Sequence, residues 1–202
     1  MAESERFRLF IAVALPESVK MKIESAQAEL RRALPEPGVR WTRREQFHLT
    51  LKFLGDVDAS RIGALEVAIR AACRGFNPLH LRAERIGFFP DLRRPRVVWT
   101  GVHDLAERLH PLQAAVDAAT RGFTSEPTEE RFTGHVTLAR IKAVRPPGVE
   151  ALTRVAAGMA ERVFGQWAAD EVELVRSALT PQGARHSSLS GFLLAGPGSV
   201  SA

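Results

Sequence analysis

His48-Leu49-Thr50-Leu51 recurs as His135-Val136-Thr137-Leu138, so the chain repeats itself from position 48 to position 135 at an offset of 87 residues. An internal duplication of this kind limits the architecture before any single element is assigned. The same offset carries Ile62, Leu65, Ala68, Ile69 and Ala72 onto Val149, Leu152, Val155, Ala156 and Met159, all apolar and spaced as one face of a helix. Upstream, Arg8-Leu9-Phe10-Ile11-Ala12-Val13 and Arg96-Val97-Val98-Trp99-Thr100 are β-branched and aromatic runs that read as strands. Each precedes a second helical stretch. The first begins around Pro16-Glu17-Ser18, where proline suits the opening turn, and carries the stripe Val19, Ile23, Leu30, Leu34; the second carries Leu105, Leu109, Leu112, Val116.

Each half therefore reads strand, helix, strand with His-x-Thr-x, helix, strand. The closing strands fall at Leu79 to Phe89 and Glu171 to Thr180, and Ser187 to Leu194 adds one more. Two copies of one α+β unit are implied. The linkers Gly55-Asp56-Val57-Asp58, Pro90 to Pro95, Arg121 to Arg131 and Arg145-Pro146-Pro147-Gly148 carry turn chemistry, and none is long enough to separate independent domains. We expect one domain over residues 1–195, with the repeat running roughly over 6–93 and 94–180, and a small, polar tail over 196–202 that frays.

Composition sets the setting for this unit. With 202 residues and 45% hydrophobic content the chain can bury a core, which excludes wholesale disorder. Lys+Arg 28 against Asp+Glu 23 leaves a net +5, an attraction for phosphate-bearing partners that identifies none of them. The one cysteine, Cys73, has no partner for an intramolecular disulfide and lies on an apolar helical stripe, the pattern of a packed thiol in a reducing compartment. The polar start Met-Ala-Glu-Ser-Glu-Arg does not resemble a signal peptide, and the first apolar run, Leu9 to Leu15, is too short to span a bilayer. A cytoplasmic protein with no membrane contact is expected, with a monomer as the default state.

Side chains alternate across a strand, so His48 and Thr50 share one face, and His135 and Thr137 share another, opposite their apolar neighbours. If the duplicated units meet about a pseudo-twofold axis, two imidazoles and two hydroxyls converge on one phosphate-sized site. Imidazole titrates near neutrality, so one ring can be a base and the other an acid. Threonine hydroxyls donate to non-bridging phosphate oxygens, where charge must be stabilised as phosphorus becomes five-coordinate. His48 and His135 are thus the candidate catalytic pair, and Thr50 and Thr137 the candidate phosphate-binding pair. His80, His103 and His110 lack partners at metal-ligand spacing and read as ordinary surface or boundary residues.

No phosphate-cradling Gly-x-x-x-x-Gly-Lys, dinucleotide Gly-x-Gly-x-x-Gly, His-Glu-x-x-His or Gly-x-Ser-x-Gly occurs, and no metal or cofactor is expected. Arginines cluster as Arg40, Arg43, Arg44 and as Arg93, Arg94, Arg96, with Trp41 among the first group as a stacking plane for a base.

These stretches, Arg8 to Val13, Trp41 ahead of Phe47 to Gly55, Pro95 to Trp99, Phe132 to Arg140 and Ser177 to Arg185, resemble the two-histidine phosphoesterases. Within them the chain is similar to the bacterial and archaeal RNA 2',3'-cyclic phosphodiesterases, also called 2'-5' RNA ligases. The resemblance covers roughly residues 6 to 194 and implies a bilobal fold with an antiparallel sheet in each lobe, helices packed outside, and a central cleft that receives one motif from each. It also implies hydrolysis of terminal 2',3'-cyclic phosphate to a 2'-phosphomonoester without metal or nucleotide, with His135 accepting a proton from water and His48 donating one to the departing 3' oxygen. Reversal would give 2'-5' ligation. The implied partners are RNA ends or nucleotides bearing a 2',3'-cyclic phosphate. His186 stands where the family often carries tyrosine, and this chain has none. Arg140 matches a common family arginine, yet simple alternation puts it on the face opposite His135. Other readings of the same cleft are a phosphodiesterase for 2'-5' oligonucleotides or a small cyclic phosphate, and a non-catalytic RNA-end binding module; retention of both histidines favours catalysis.

Overall fold

The computed structural model describes residues 5–35, 37–127, 131–180 and 183–196. All but the first residue of the tail anticipated at 196–202 lies outside them. In chain order the elements are β1 (Arg6–Ala14), α1 (Glu17–Ala33), β2 (Val39–Trp41), β3 (His48–Asp58), α2 (Ile62–Cys73), β4 (Leu79–Phe89), β5 (Val97–Asp104), α3 (Leu109–Thr120), β6 (His135–Ile141), α4 (Pro146–Ala157), β7 (Val163–Ala169), β8 (Glu171–Thr180) and β9 (Gly183–Leu193).

Period-two patterning builds two antiparallel sheets, ordered β3-β1-β8-β9 and β2-β6-β5-β4-β7. In β1, Leu9, Ile11 and Val13 enter the main core, while Phe10 and Ala12 turn to the opposite face and meet Val175 in a small separate cluster. The sheets are not assembled half by half. The closing strand of the first half, β4, pairs with β5, and that of the second, β8, pairs with β1. The helices exchange likewise: α2 packs on α3 and β9, and α3 on β3, while α1 packs on α4 and β7. Each sheet is therefore covered by one helix from each half, and the fold is an α+β arrangement of two lobes with their helices outside.

Both motif strands carry the same irregularity. Ala12 pairs with Thr50 and Ile11 with Lys52, which leaves Leu51 as an extra residue; Trp99 pairs with Thr137 and Val98 with Ala139, which leaves Leu138 extra. A bulge takes its residue out of the ladder and reverses the facing of the residues beyond it. After the first bulge Lys52 faces α3 instead of the cleft, and its ammonium pairs with Asp117 at 2.7 Å, both side chains 4% exposed. Arg121 adds a second cation to Asp117 at 3.2 Å.

The bulged carbonyls need donors, since a buried backbone oxygen left unpaired is costly. They receive them from equivalent glutamines of the opposite half. Gln27 on α1 donates to Leu138 O at 2.8 Å and to Thr42 O at 2.7 Å, and Gln113 on α3 donates to Leu51 O at 3.4 Å. Both glutamines are buried.

Three expectations are corrected. Leu105, placed on a helical stripe, is exposed in the turn after β5, because α3 begins only at Leu109. Gly55 to Asp58, read as a turn, extends β3 and pairs with Arg6 to Leu9; Gly55 takes a positive φ where the register shifts again and Leu54 is left extra. Arg145 to Gly148, read as a linker, opens α4 with Pro146 and Pro147 in its first turn. Cys73 is fully buried, and burial pushes its thiol up to about 11. No helix among the described residues is long and apolar enough to cross a membrane.

Asp117→Ala is expected to cost about 3–5 kcal/mol in urea denaturation, because it strands the Lys52 ammonium in the core. Gln27→Leu, of similar size, is expected to cost about 1–3 kcal/mol through the carbonyls it deserts.

Candidate active site

Each motif histidine opens its strand, and each is anchored the same way. His48 Nδ1 donates to Gln46 O at 2.7 Å and His135 Nδ1 donates to Thr133 O at 2.7 Å. A carbonyl can only accept, so Nδ1 carries the proton in both rings and Nε2 is left for chemistry. The residue ahead of His135 must be small: a Cβ on Gly134 would lie 2.4 Å from Val102 O, and Val102 N–H donates to Gly134 O at 2.8 Å.

Aromatic rings hold the two imidazoles. His48 stacks on Phe10 at a centroid distance of 4.7 Å and meets His186 edge-on at 5.2 Å. His135 meets Phe89 edge-on at 5.0 Å, with Trp99 behind it at 6.3 Å. Trp99 lies flat across β4 only because residue 87 is glycine, whose Cβ would fall 2.2 Å from the indole. Thr50, opposite Ala12, and Thr137, opposite Trp99, lie on the same faces as their histidines, partly exposed between buried leucines and valine. Strands β3 and β6 approach one another between the lobes, and His135 lies close enough to His48 to act on its charge.

Burial first, and the neighbouring His186 second, push the His48 imidazole down to about 4; its bond to Gln46 opposes the shift, and His135 and Lys20 add to it. At neutral pH His48 is therefore uncharged. Burial also lowers His186. The first sheet's open face continues from His48 into a cavity of about 160 Å³ floored by Phe10, Ala12 and Val175.

The facing of Arg140 is the reverse of what alternation predicts. The Leu138 bulge turns β6 over, so Arg140 pairs with Val97, on the face of Trp99 and His135, and is exposed while Ala139 and Ile141 are buried. Of the arginine clusters, Arg44 is held by Glu17 and Glu24 at 3.1 Å each, whereas Arg40 and Arg43 reach the start of β9 at Gly183. Arg93, Arg94 and Arg96 line a second groove with Lys142, remote from the motifs at the far end of β6. His103, on β5 two residues past Gly101, the partner of His135, contacts Arg85 and Glu84, and His110 lies against Phe132. Sequence reasoning missed Gln27 and Gln113. The signal was present: a polar residue beside the apolar stripe of the same helix in both halves.

The LigT-like phosphoesterase family model matches the chain twice, over residues 13–99 and 101–186. An RNA 2',3'-cyclic phosphodiesterase of Methanothermobacter thermautotrophicus is 31% identical over 94% of this chain and its own whole length, and one of Aeropyrum pernix is 34% identical over 80% and 91%. Among solved structures, a protein of Thermus thermophilus superposes with a TM-score of 0.75 at 31% identity, covering 94% of this chain and 98% of its own. Escherichia coli LigT complexed with 3'-AMP gives 0.73 at 25% identity, covering 94% and 99%. With two tandem matches to the family model, each holding one His-x-Thr-x strand of the cleft, the chain belongs to the LigT-like phosphoesterases.

Proposed function

We propose that this protein is an RNA 2',3'-cyclic phosphodiesterase, a hydrolase that opens a terminal 2',3'-cyclic phosphate to a 2'-phosphomonoester. The observation that carries the reading is the paired Nδ1 anchoring of His48 and His135, which leaves two Nε2 atoms of one cleft to exchange protons. His135 Nε2 takes a proton from water as its oxygen attacks phosphorus. The bond from phosphorus to the 3' oxygen breaks, and His48 Nε2 gives that oxygen its proton. Thr50 and Thr137 donate to the non-bridging oxygens as charge builds on them. His48, uncharged by itself at neutral pH, takes up its proton with the substrate, because the phosphodiester anion beside it favours imidazolium. Arg140, on the same face as His135, serves the RNA backbone beyond the terminal nucleotide. Reversal, with a 5'-hydroxyl in place of water, gives 2'-5' ligation at the same atoms. The chemistry needs no metal or nucleotide. The protein acts as a monomer in the cytoplasm, in keeping with its free, buried Cys73.

The deciding experiment is product identification from 2',3'-cyclic nucleotides and from RNA ending in cyclic phosphate. A 2'-phosphate is expected with EDTA present; a 3'-phosphate, or activity lost to EDTA and restored by a divalent ion, overturns the reading. Turnover of 2'-5' dimers in preference to cyclic phosphate would assign the cleft to oligonucleotide cleavage instead. His48→Ala and His135→Ala are each expected to lower kcat by about 100-fold or more, with RNA-end binding retained.

The pH profile of kcat/KM is expected to be bell-shaped, with its acid limb near pH 4, where His48 of the free enzyme titrates. Below that limb both rings are protonated and the base is lost. His186→Phe keeps a ring against His48 but removes a positive neighbour, so the limb is expected to move up in pH.

A further inference from the structure

The open face of the first sheet is laid out in rows, and one row crosses the cavity beside His48. Thr50 pairs with Ala12, and Ala12 pairs with Glu173, so Glu173 stands two strands from the phosphate-binding hydroxyl on the same face. Two strand spacings amount to about 10 Å, the reach from a ribose 2',3'-phosphate to the far edge of its own base. The floor between them is apolar, formed by Phe10, Ala12 and Val175, and Ser188, opposite Val175 on β9, completes the far wall. Ligand pockets take this form, an apolar floor with a few polar groups at one end.

Glu173 is the polar group that needs explaining. It lines the cavity with His48, it is partly buried, and its carboxylate has no hydrogen-bond or ion-pair partner among the described residues. A carboxylate only accepts hydrogen bonds, and in a cleft for phosphate anions it adds repulsion. A base edge that donates at two adjacent positions would give it a use. Guanine presents N1–H and the N2 amino group side by side, matched to the two carboxylate oxygens. Adenine and cytosine place one amino donor beside a ring acceptor, and uracil places one N–H between two carbonyls, so each sets an acceptor against a carboxylate oxygen.

We propose that Glu173 makes this cavity a nucleobase subsite selective for guanine at the cyclic-phosphate end. The terminal phosphate sits at His48 and Thr50, the ribose crosses Ala12, and the base lies over Phe10 and Val175 with its Watson–Crick edge against Glu173 and Ser188. Lys20 and Glu45 stand at the rim, on α1 and on the turn before β3. The proposal rests on the phosphodiesterase reading above and adds the identity of the terminal base to it.

The test compares kcat/KM of the full chain on the four nucleoside 2',3'-cyclic phosphates, for the unaltered protein and for Glu173→Gln. The unaltered protein is expected to favour the guanosine substrate by about tenfold or more, the order of one bidentate base contact. Glu173→Gln is expected to remove that preference by slowing the guanosine substrate while the other three hold or rise, since the amide no longer sets a carboxylate oxygen against their acceptors. Binding of the product 2'-GMP against 2'-UMP, measured calorimetrically, should show the same loss and reads the subsite even if turnover is slow. Equal turnover of all four substrates, or an equal change on all four in the variant, overturns the subsite. Hydrolysis of none of the four overturns the phosphodiesterase reading itself, which keeps the two failures apart.

Discussion

The cleft depends on two carbonyl groups that the sheets cannot satisfy. One step past each His-x-Thr, Leu51 and Leu138 drop out of their ladders, and their oxygens would be stranded without a donor. Gln113 and Gln27 supply it from the opposite half of the chain. The bond fixes where the motif strand stops being regular, and with it the distance from the lobe interface at which the histidine and threonine project. Because the clamp is reciprocal, a shift of either helix would be felt at the motif of the other half. The two motif strands are thus aligned through helices that neither half owns alone.

The bulges also sort the charges. Without them Lys52 and His48 would share a face, and a fixed cation would stand beside the imidazole. Turned over, Lys52 is buried against Asp117 on the helix side, and Phe53 takes the exposed position beside Phe10. In the second half the same turn brings Arg140 to the cleft face instead. The repeat therefore yields an apolar continuation after one motif and a cationic one after the other. This asymmetry fits a linear substrate that meets the two motifs differently. The depressed His48 and the aromatic packing of its ring belong to the apolar side.

The duplication and the α+β class were legible because they depend on local pattern: apolar spacing for the helices and alternation for the strands, with an unusual quartet found twice putting the four candidate residues on strands of corresponding place. The facing of Arg140 was not, because alternation holds only in a regular strand, and a bulge is decided by the partner strand. The same holds for Leu105, whose apolar side chain matched the helical period of residues that fold four positions later. Strand β2 is three residues long and too short to announce itself, and β7 has glycine and polar residues where a strand signal would need a β-branched run. The glutamine clamps needed the exchange of helices between lobes to be known before their role could be seen. Long-range pairing is what a single sequence records least directly.

The crossing of β4 and β8 into each other's sheets has a meaning for the origin of the fold. One half expressed alone would leave its third strand without a sheet to enter and its first strand with an empty edge. Two such copies would cure each other's defect by swapping, giving a homodimer with a twofold axis through a cleft holding two identical motifs. Fusion of those copies into one chain would free the two sides to diverge, so that each motif histidine could acquire neighbours of its own.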